Sequence, residues 1–298
     1  MNAARHLQRF ALSLAVVSVL AANSPAWACP AVTGPVANVD DSKSSDLPFQ
    51  LLRGYVIVVE GSLDDLKNCH FLVDTGSSPT ILDAAVARQL RLGGHRAELF
   101  LLNHDVNVGT SLLSTLVLGP IRARSLPVLI ADLSPIQKDL GMPIDAIIGL
   151  DVLQTSFVID YQSRHITFGP SPSLVHSIPF ESGSPFVTVS MRVDGEAVRL
   201  LVDTGASGLL LFHGEHYHFS ALPLMRVQTS TNIAGTFDRE QVELSDVRLG
   251  SLHRQKQTAY LVRTKEQAGH DFDGLMGIPA LGIKQVAFDF ERGMLSWK

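Results

Sequence analysis

The chain has 298 residues, which at the usual ~150 residues per domain suggests two domains. Apolar residues make up 46% and charged residues 18%, which excludes a disordered or collagen-like chain. The formal net charge is −5 and no run of basic residues occurs, so we do not expect a surface that binds nucleic acid through its phosphates.

The first 28 residues have the pattern of a secretory signal peptide. Two arginines and no acidic residue precede an apolar stretch from Phe10 to Ala22, and Ala26-Trp27-Ala28 fits a small-x-small cleavage site. The apolar stretch is shorter than the ~20 residues that a membrane-spanning helix needs. We therefore expect export through a cleavable signal peptide to the periplasm or the exterior, and no membrane span.

The two cysteines, Cys29 and Cys69, leave two arrangements open. An oxidising compartment would permit a disulfide between them, and two unpaired thiols are the alternative. Cys29 would be the first residue after cleavage, so a lipid anchor on Cys29 is an alternative. The bulky Trp27, however, stands where lipoprotein signals prefer small residues. We therefore expect no anchor, and we expect residues 29–46, which contain the polar run DDSKSSD, to form a flexible lead-in.

The rest of the chain contains one pattern twice. The matching segments are FLVDTGSSPTIL at Phe71–Leu82 with LLVDTGASGLLL at Leu200–Leu211, and IDAIIGLDVL at Ile144–Leu153 with FDGLMGIPAL at Phe272–Leu281. The interval from the aspartate of the first motif to the glycine of the second is 75 residues in one copy and 74 in the other. We therefore predict two homologous lobes, 47–172 and 173–298, with a Pro- and Ser-containing linker at their junction.

Short antiparallel strands are predicted in both lobes. Stretches such as FVTVSMRV alternate apolar and polar residues, and turn residues recur at short intervals. Each copy ends in a strand-turn-strand pattern, at Phe157–Phe168 and Val286–Trp297, and one helix is predicted over Leu82–Leu90. The fold class is therefore all-β, with two β-barrel-like lobes and a cleft between them.

Each copy places one carboxylate at a tight turn after an apolar strand: Asp74 in the first and Asp203 in the second. The glycine of each Asp-Thr-Gly permits the turn. Two lobes related by an approximate two-fold axis would bring the carboxylates face to face. Because two carboxylates about 3 Å apart cannot both ionise, they would share one proton and supply one acid and one base.

These paired motifs resemble those of the aspartic peptidases. The family signature is two hydrophobic residues before Asp-Thr-Gly-Ser/Ala, followed later by two hydrophobic residues and Gly, and both parts occur in both halves of residues 47–298. The short lobes are similar to retropepsin-like domains fused in tandem, as in exported bacterial members.

The resemblance implies an endopeptidase with Asp74 and Asp203 as the catalytic dyad. It further implies a peptide or protein substrate, no cofactor or metal, and activity as a monomer, since one chain holds both half-sites. The alternative is a catalytically silent two-lobe relative that binds peptides or acts like an inhibitor. Because both Asp-Thr-Gly motifs are intact, the sequence favours the peptidase.

The resemblance also assigns supporting roles beside the dyad. The residues that would complete the two turns and brace them from behind are Thr75, Gly76, Ser77, Thr204, Gly205, Gly149 and Gly277. The two threonines would contact each other across the lobe interface. Ser77 can donate a hydrogen bond to a carboxylate whereas Ala206 cannot, so we predict more negative charge on Asp74 and more of the proton on Asp203.

A hairpin that covers the cleft is expected between the two motifs of each lobe. The candidates are NVGTSL, which contains Gly109 and Thr110, and IAGTFD, which contains Gly235 and Thr236; ordinary surface turns are the alternative. Pepsin-like enzymes have a Trp seven residues after the first catalytic Asp, paired with a Tyr of the hairpin. Here that position is Ile81, so the resemblance to pepsin does not extend to this pair.

Other ionisable residues are not expected to be catalytic. The run HGEHYH contains His213, Glu215, His216 and His218, but their spacing fits no familiar zinc pattern, and we favour a solvated turn. Loop or turn roles are expected for the acidic residues beside the second motifs, Asp145, Asp271 and Asp273. Asp160 and Asp289 occupy matching places in the terminal strand pairs, which indicates structural roles.

Overall fold

A computed structural model of the chain describes residues 37–39, 45–101, 105–170, 174–181, 186–212, 222–263 and 272–298. In chain order the strands are β1 (Ala37–Val39), β2 (Asp46–Pro48), β3 (Gln50–Leu52), β4 (Val56–Leu63), β5 (Leu66–Val73), β6 (Ile81–Asp83), β7 (His95–Phe100), β8 (Asp105–Leu118), β9 (Ile121–Ala131), β10 (Ala146–Ile148), β11 (Phe157–Asp160), β12 (His165–Phe168), β13 (His176–Pro179), β14 (Thr188–Val193), β15 (Glu196–Asp203), β16 (Leu209–Phe212), β17 (Arg226–Asn232), β18 (Gly235–Leu249), β19 (Leu252–Val262), β20 (Gly274–Gly277), β21 (Gln285–Asp289) and β22 (Met294–Trp297). The signal sequence expected at 1–28 lies outside the described residues.

The first lobe is a nine-stranded sheet that curls back on itself. Its strands follow the order β1-β9-β6-β10-β5-β4-β8-β7, with β3 added beside β4 and a further pairing between β8 and β9. Between β4 and β8 only two residue pairs connect, Ser62 with Val117 and Leu63 with Leu116. The lobe is therefore barrel-like without being a fully closed barrel.

The second lobe repeats this arrangement. Its seven strands follow the order β14-β15-β20-β16-β19-β18-β17, with a further pairing between β14 and β18. In both lobes the strand before the Asp-Thr-Gly turn runs parallel to the strand that carries the second motif: β5 beside β10 and β15 beside β20. The predicted fold of two homologous β-barrel-like lobes is confirmed. The boundary at residue 172 lies outside the described residues and stays a prediction.

A third sheet joins the lobes. Its order is β13-β22-β21-β11-β12-β2, so that three strands come from each half of the chain. The central pair, β11 and β21, is antiparallel, and the rings of Phe157 and Phe288 stack across it with centroids 4.7 Å apart. The two predicted strand-turn-strand segments are β11–β12 and β21–β22. Both copies therefore contribute this segment to the sheet that joins the lobes.

The lead-in and the helices differ in part from expectation. Strand β1 falls within the segment 29–46 and pairs with the edge of β9 through its backbone, a contact that needs no apolar side chain. The predicted helix is α1 (Ala84–Gln89), which begins later than expected because residues 81–83 extend the sheet as β6 and Asp83 caps the helix. A second helix, α2 (Ser134–Leu140), was not predicted; Pro135 lies in its first turn and Gly141 ends it.

Candidate active site

Each aspartate lies where an apolar strand ends in a tight turn. Asp74 follows β5, and its N–H donates to the carbonyl of Ile148 on the neighbouring β10 at 3.0 Å. Within the turns, the Gly76 N–H donates to Asp74 Oδ1 at 2.8 Å and the Gly205 N–H donates to Asp203 Oδ1 at 2.7 Å. One oxygen of each carboxylate is thus held by its own turn, which fixes the side chain and leaves Oδ2 for chemistry.

The two turns meet at the lobe interface. A Cβ atom placed on Gly76 would lie 2.7 Å from Cγ of Asp203, and one on Gly205 would lie 3.1 Å from Cγ of Asp74. Each glycine therefore packs against the carboxylate of the opposite lobe, at a distance that leaves little or no room for a side chain. This contact brings the two carboxylates together, as the repeated motif predicts.

Thr75 and Thr204 form a reciprocal set of buried hydrogen bonds between the lobes. The Thr75 hydroxyl donates to the Val202 carbonyl at 2.7 Å and accepts from the Thr204 N–H at 3.1 Å. The Thr204 hydroxyl donates to the Val73 carbonyl at 3.0 Å and accepts from the Thr75 N–H at 3.0 Å. Each hydroxyl satisfies two backbone groups of the other lobe, so the threonines lie where the resemblance places them.

Gly149 and Gly277 pass behind the turns. A side chain on Gly149 would overlap the Ser77 carbonyl, and one on Gly277 would overlap the Ala206 carbonyl. The Leu150 N–H donates to the Ser77 carbonyl at 2.9 Å in the first lobe. The second motif of each copy therefore supports the loop that carries the aspartate.

The carboxylates are fully buried, and this determines their protonation. Neither Oδ2 atom accepts a hydrogen bond from any described residue. A proton on one carboxyl can supply the missing hydrogen bond by donating to the other carboxylate. Burial raises the pKa of Asp74 to about 6, while the hydrogen bond to Asp203 limits that rise. Burial, and then the charge of Asp74, raise the pKa of Asp203 well above its usual range. Both carboxyls therefore hold a proton more readily than an exposed aspartate does, and one proton shared between them can serve both Oδ2 atoms.

Ser77 does not act as expected. Its hydroxyl donates to the Pro79 carbonyl at 3.2 Å within the same loop, and not to a carboxylate. The order of the two pKa values has the predicted direction, but its causes are burial and the charge of the partner carboxylate. The difference between Ser77 and Ala206 is not its source.

Asp145 and Asp273 act as structural clamps. The His70 N–H donates to Asp145 Oδ2 at 2.7 Å, and the Asp145 N–H donates back to the His70 carbonyl at 2.8 Å. The second lobe repeats both bonds between Arg199 and Asp273. These acids join the strand before the turn to the segment behind it, as expected of structural residues. Asp271 lies outside the described residues.

Asp160 and Asp289 also have structural contacts. Asp160 Oδ1 accepts from the N–H groups of Gln162 and Ser163, and Asp289 Oδ1 accepts from the Arg292 N–H. Both acids therefore hold the turns of the sheet that joins the lobes.

A brace present in one lobe alone was missed by the sequence analysis. The Thr80 hydroxyl donates to Asp151 Oδ1 at 2.8 Å, and the Thr80 N–H donates to Asp151 Oδ2 at 2.9 Å. The same hydroxyl accepts from the Gly149 N–H at 3.2 Å. The corresponding residues of the second lobe are Leu209 and Pro279. An alignment of the two copies would therefore have shown that a polar pair occurs in the first lobe alone.

The cleft hairpins are β7–β8 and β17–β18. In the first, Gly109 and Thr110 pair with Arg96 and His95 inside the strands, so they do not form its tip as expected. The pairing of β7 with β8 continues to Phe100 and Asp105, beyond the segment that resembles a turn. In the second hairpin, Gly235 and Thr236 directly follow the turn, and Gly235 has a φ of 112° that favours glycine.

The described residues include only some of those in the metal and cysteine predictions. His213, Glu215, His216 and His218 lie outside the described residues. Within the described segments no group of three His, Cys, Asp or Glu side chains is placed to hold a metal. Cys69 is buried and its thiol donates to the Leu66 carbonyl at 3.7 Å. Cys29 is not among the described residues, so the disulfide stays a prediction.

A family model described as "Aspartyl protease" matches the chain twice, over residues 59–152 and 189–280. The chain belongs to this aspartyl protease family. Each match contains one Asp-Thr-Gly turn and the segment that braces it, and one match falls in each lobe of the chain. No curated protein matches the chain.

Solved structures are similar at low identity. Basic 7S globulin from soybean is 13% identical, with a TM-score of 0.46, over 85% of this chain and 94% of that one. A retropepsin-like aspartic protease from Rickettsia conorii is 17% identical, with a TM-score of 0.29, over 40% of this chain and 87% of that one. No helix in the described segments has the length and apolar character needed to cross a membrane.

Proposed function

We propose that the protein is an exported aspartic endopeptidase that hydrolyses peptide bonds with a water molecule activated between Asp74 and Asp203. The observation that carries the proposal is the pair of buried carboxylates, one from each lobe, in which each packs against the turn glycine of the other. Their Oδ2 atoms have no competing donor among the described residues, and their pKa values favour one shared proton.

The pKa of Asp203, raised further by the charge of Asp74, supports the following assignment of roles. Ionised Asp74 accepts a proton from the water molecule while the water oxygen attacks the scissile carbonyl carbon. Asp203 donates its proton to the carbonyl oxygen, which gives a neutral tetrahedral diol. The amide nitrogen then takes the proton held by Asp74 as the C–N bond breaks, and Asp203 regains its proton from the diol as the carboxylic acid forms. The dyad returns to its starting state.

Features away from the dyad support the proposals of export and of activity as a monomer. The N-terminal pattern of 1–28 supports export through a cleavable signal peptide. Both half-sites lie in one chain, which supports activity as a monomer on a peptide or protein substrate. No second subunit is needed to complete the pair.

A second candidate is a catalytically silent relative that binds peptides in the cleft. The observation that favours it is the complete burial of both carboxylates, since a substrate reaches them only after the cleft opens. The two candidates differ in whether bound peptide is cleaved.

The deciding experiment incubates the purified protein, produced from the full chain, with a diverse peptide mixture from pH 3 to 8. Asp74→Asn and Asp203→Asn are compared with Asp65→Asn, which changes an exposed aspartate in the same way. We expect cleavage by the wild type and by Asp65→Asn, and a loss of about 10³-fold or more in each dyad variant. Binding without cleavage at every pH would favour the silent relative, and equal cleavage by a dyad variant would refute the mechanism.

A further inference from the structure

The two Asp-Thr-Gly turns are held from behind in different ways. In the second lobe, the Gly277 N–H donates to the Gly208 carbonyl at 2.9 Å, so a backbone bond joins the second motif to the segment after the turn. In the first lobe, the equivalent N–H, that of Gly149, donates to the Thr80 hydroxyl at 3.2 Å. The carbonyl equivalent to that of Gly208 belongs to Pro79 and accepts a side-chain hydroxyl. A side chain therefore takes the place of a backbone acceptor in the first lobe.

Thr80 is in turn oriented by Asp151. Thr80 is fully buried, its hydroxyl donates to Asp151 Oδ1 at 2.8 Å, and its N–H donates to Asp151 Oδ2 at 2.9 Å. A hydroxyl has one proton to donate, so donation to Asp151 turns its lone pairs toward the Gly149 N–H. The Thr80 carbonyl accepts from the Leu129 N–H at 3.0 Å, which ties the same residue to strand β9. Every polar group of Thr80 is thus used in holding this segment.

The segment at Gly149 contacts the turn that carries the catalytic aspartate. The Leu150 N–H donates to the Ser77 carbonyl at 2.9 Å, and the Ser77 N–H donates to the Asp74 carbonyl at 3.2 Å. A Cβ atom placed on Gly149 would lie 2.5 Å from the Ser77 carbonyl oxygen, so the two backbones are in close contact. Within the same turn, the Gly76 N–H holds Asp74 Oδ1 at 2.8 Å. A shift of the segment would therefore reach the carboxylate.

We propose that Thr80 and Asp151 are positioning residues, which hold the Asp74 turn in its reactive geometry. In that geometry the Gly76 N–H binds Oδ1, and Oδ2 is left for the water molecule. This inference rests on the proposed function, in which Asp74 is the base. A misplacement of about 1 Å in a reacting group can cost on the order of 100-fold in rate. The turn of Asp203 has a backbone bond at the equivalent point and should not depend on side chains there.

The position of Asp74 has a signature in its pKa. The carboxyl that faces it is that of Asp203, and the Gly76 N–H lowers the pKa of Asp74 against the effect of burial. If the brace is lost and the turn loosens, this hydrogen bond weakens and the pKa of Asp74 rises. The acid limb of kcat/KM then moves to higher pH, because the base must be ionised. A loss of stability alone reduces the amount of active protein and leaves the limb in place.

The test compares four proteins on a peptide that the wild type cleaves. Thr80→Val removes the hydroxyl at nearly constant size; kcat should fall about tenfold or more, KM should stay within about twofold, and the acid limb should rise by about 0.5 pH unit or more. Thr80→Ser keeps the hydroxyl and should keep wild-type values. Leu209→Val alters the equivalent buried side chain of the second lobe and should leave the limb in place. An unmoved limb in Thr80→Val, whatever the change in kcat, would overturn the proposal.

A titration of the carboxyl groups separates this inference from the proposed function. In the full chain labelled with ¹³C at the aspartate carboxyl carbons, NMR follows the dyad from pH 3 to 8, and Asp74→Asn identifies its signal. The apparent pKa of the dyad should be higher in Thr80→Val and unchanged in Leu209→Val. This result without peptide cleavage would support the positioning role while the peptidase proposal fails. Cleavage by the wild type with no change in the titration would overturn the positioning role alone.

A second variant covers the case in which Thr80→Val does not fold by near-UV circular dichroism. Asp151→Asn keeps one oxygen acceptor for the Thr80 hydroxyl and loses the acceptor for the Thr80 N–H. The acid limb and the apparent pKa of the dyad should move in the same direction as in Thr80→Val, by a smaller amount. If both stay at their wild-type values in Asp151→Asn, the proposal is wrong.

Discussion

The two cleft hairpins have the same topology and different chemistry. In the first lobe, the buried inner residues of β7–β8 and its end are apolar, with Leu99, Leu101 and Val108 in one cluster. In the second lobe, the corresponding face of β17–β18 carries Arg239 and Ser230. The duplicated hairpins therefore differ in their buried side chains, which are apolar in the first lobe and include Arg239 and Ser230 beside apolar Phe237 in the second.

The two turns that carry the aspartates are alike in the two lobes, whereas the two hairpins differ. Thr75 and Thr204 make matching hydrogen bonds, and each turn glycine packs on the opposite carboxylate. The geometry requires both halves to fit each other at this point, so neither can change alone. The surrounding braces are freer, as the Thr80–Asp151 contact of one lobe shows. Symmetry is thus retained where the lobes touch and lost elsewhere.

The largest effect on stability is expected from the threonine pair. Thr75→Val and Thr204→Val each leave a backbone N–H and a carbonyl of the other lobe buried without a partner, which costs about 2–4 kcal/mol. If the lobes are equivalent here, the two losses agree within about 1 kcal/mol in urea unfolding. Thr75→Ser keeps the hydroxyl and should lose much less. A large loss in one variant and none in the other would show that this contact is not symmetric.

The dyad should respond to pH in a way that distinguishes its two members. The folded pKa of Asp74 is about 6 and its ordinary value is 3.8, so the native state binds the proton more tightly and wild-type stability falls as the pH rises through that window. Asp74→Asn keeps the Oδ1 acceptor for Gly76 and removes the buried charge. It should be about as stable as the wild type near pH 3 and up to ~3 kcal/mol more stable at pH 7.

Thermal unfolding from pH 3 to 8 measures this difference, with the exposed Asp65→Asn as the control. Activity gives an independent reading of the same group, since protonation of Asp74 removes the base and kcat/KM should fall below about pH 6. A stability difference that stays constant from pH 3 to 8 would contradict the assignment of a raised pKa to Asp74.

The sequence predicts the repeated part of this structure well, for a physical reason. A strand, a tight turn and a bracing glycine are local patterns, and their recurrence at nearly equal spacing specifies the pairing of the two turns. The β11–β21 pairing that joins the lobes links residues 125 to 131 positions apart, and no local pattern selects that partner. The segment around Arg239 contains three consecutive charged residues, Asp238, Arg239 and Glu240, and such a sequence is typical of an exposed strand. Its burial depends on Tyr260 and Ser207, which are distant in sequence.

The smallest effect is expected at the tip of the polar hairpin. Ile233 is buried among first-lobe residues that include Tyr55 and Ile136, and β17 contacts helix α2. Ile233→Ala removes this anchor and should cost about 1–2 kcal/mol, less than in a fully enclosed core because the tip can relax. Hydrogen exchange of the β17–β18 amides should accelerate, since the hairpin is then held to the first lobe by fewer contacts.

Leu112→Ala is the matched change on the other hairpin, where the side chain is 51% exposed on β8. It should alter the free energy of unfolding by less than about 0.5 kcal/mol and leave exchange unchanged. If Ile233→Ala behaves like Leu112→Ala, the second-lobe hairpin is not anchored to the first lobe. In that case the β17–β18 hairpin would move without breaking a contact with the first lobe at its tip.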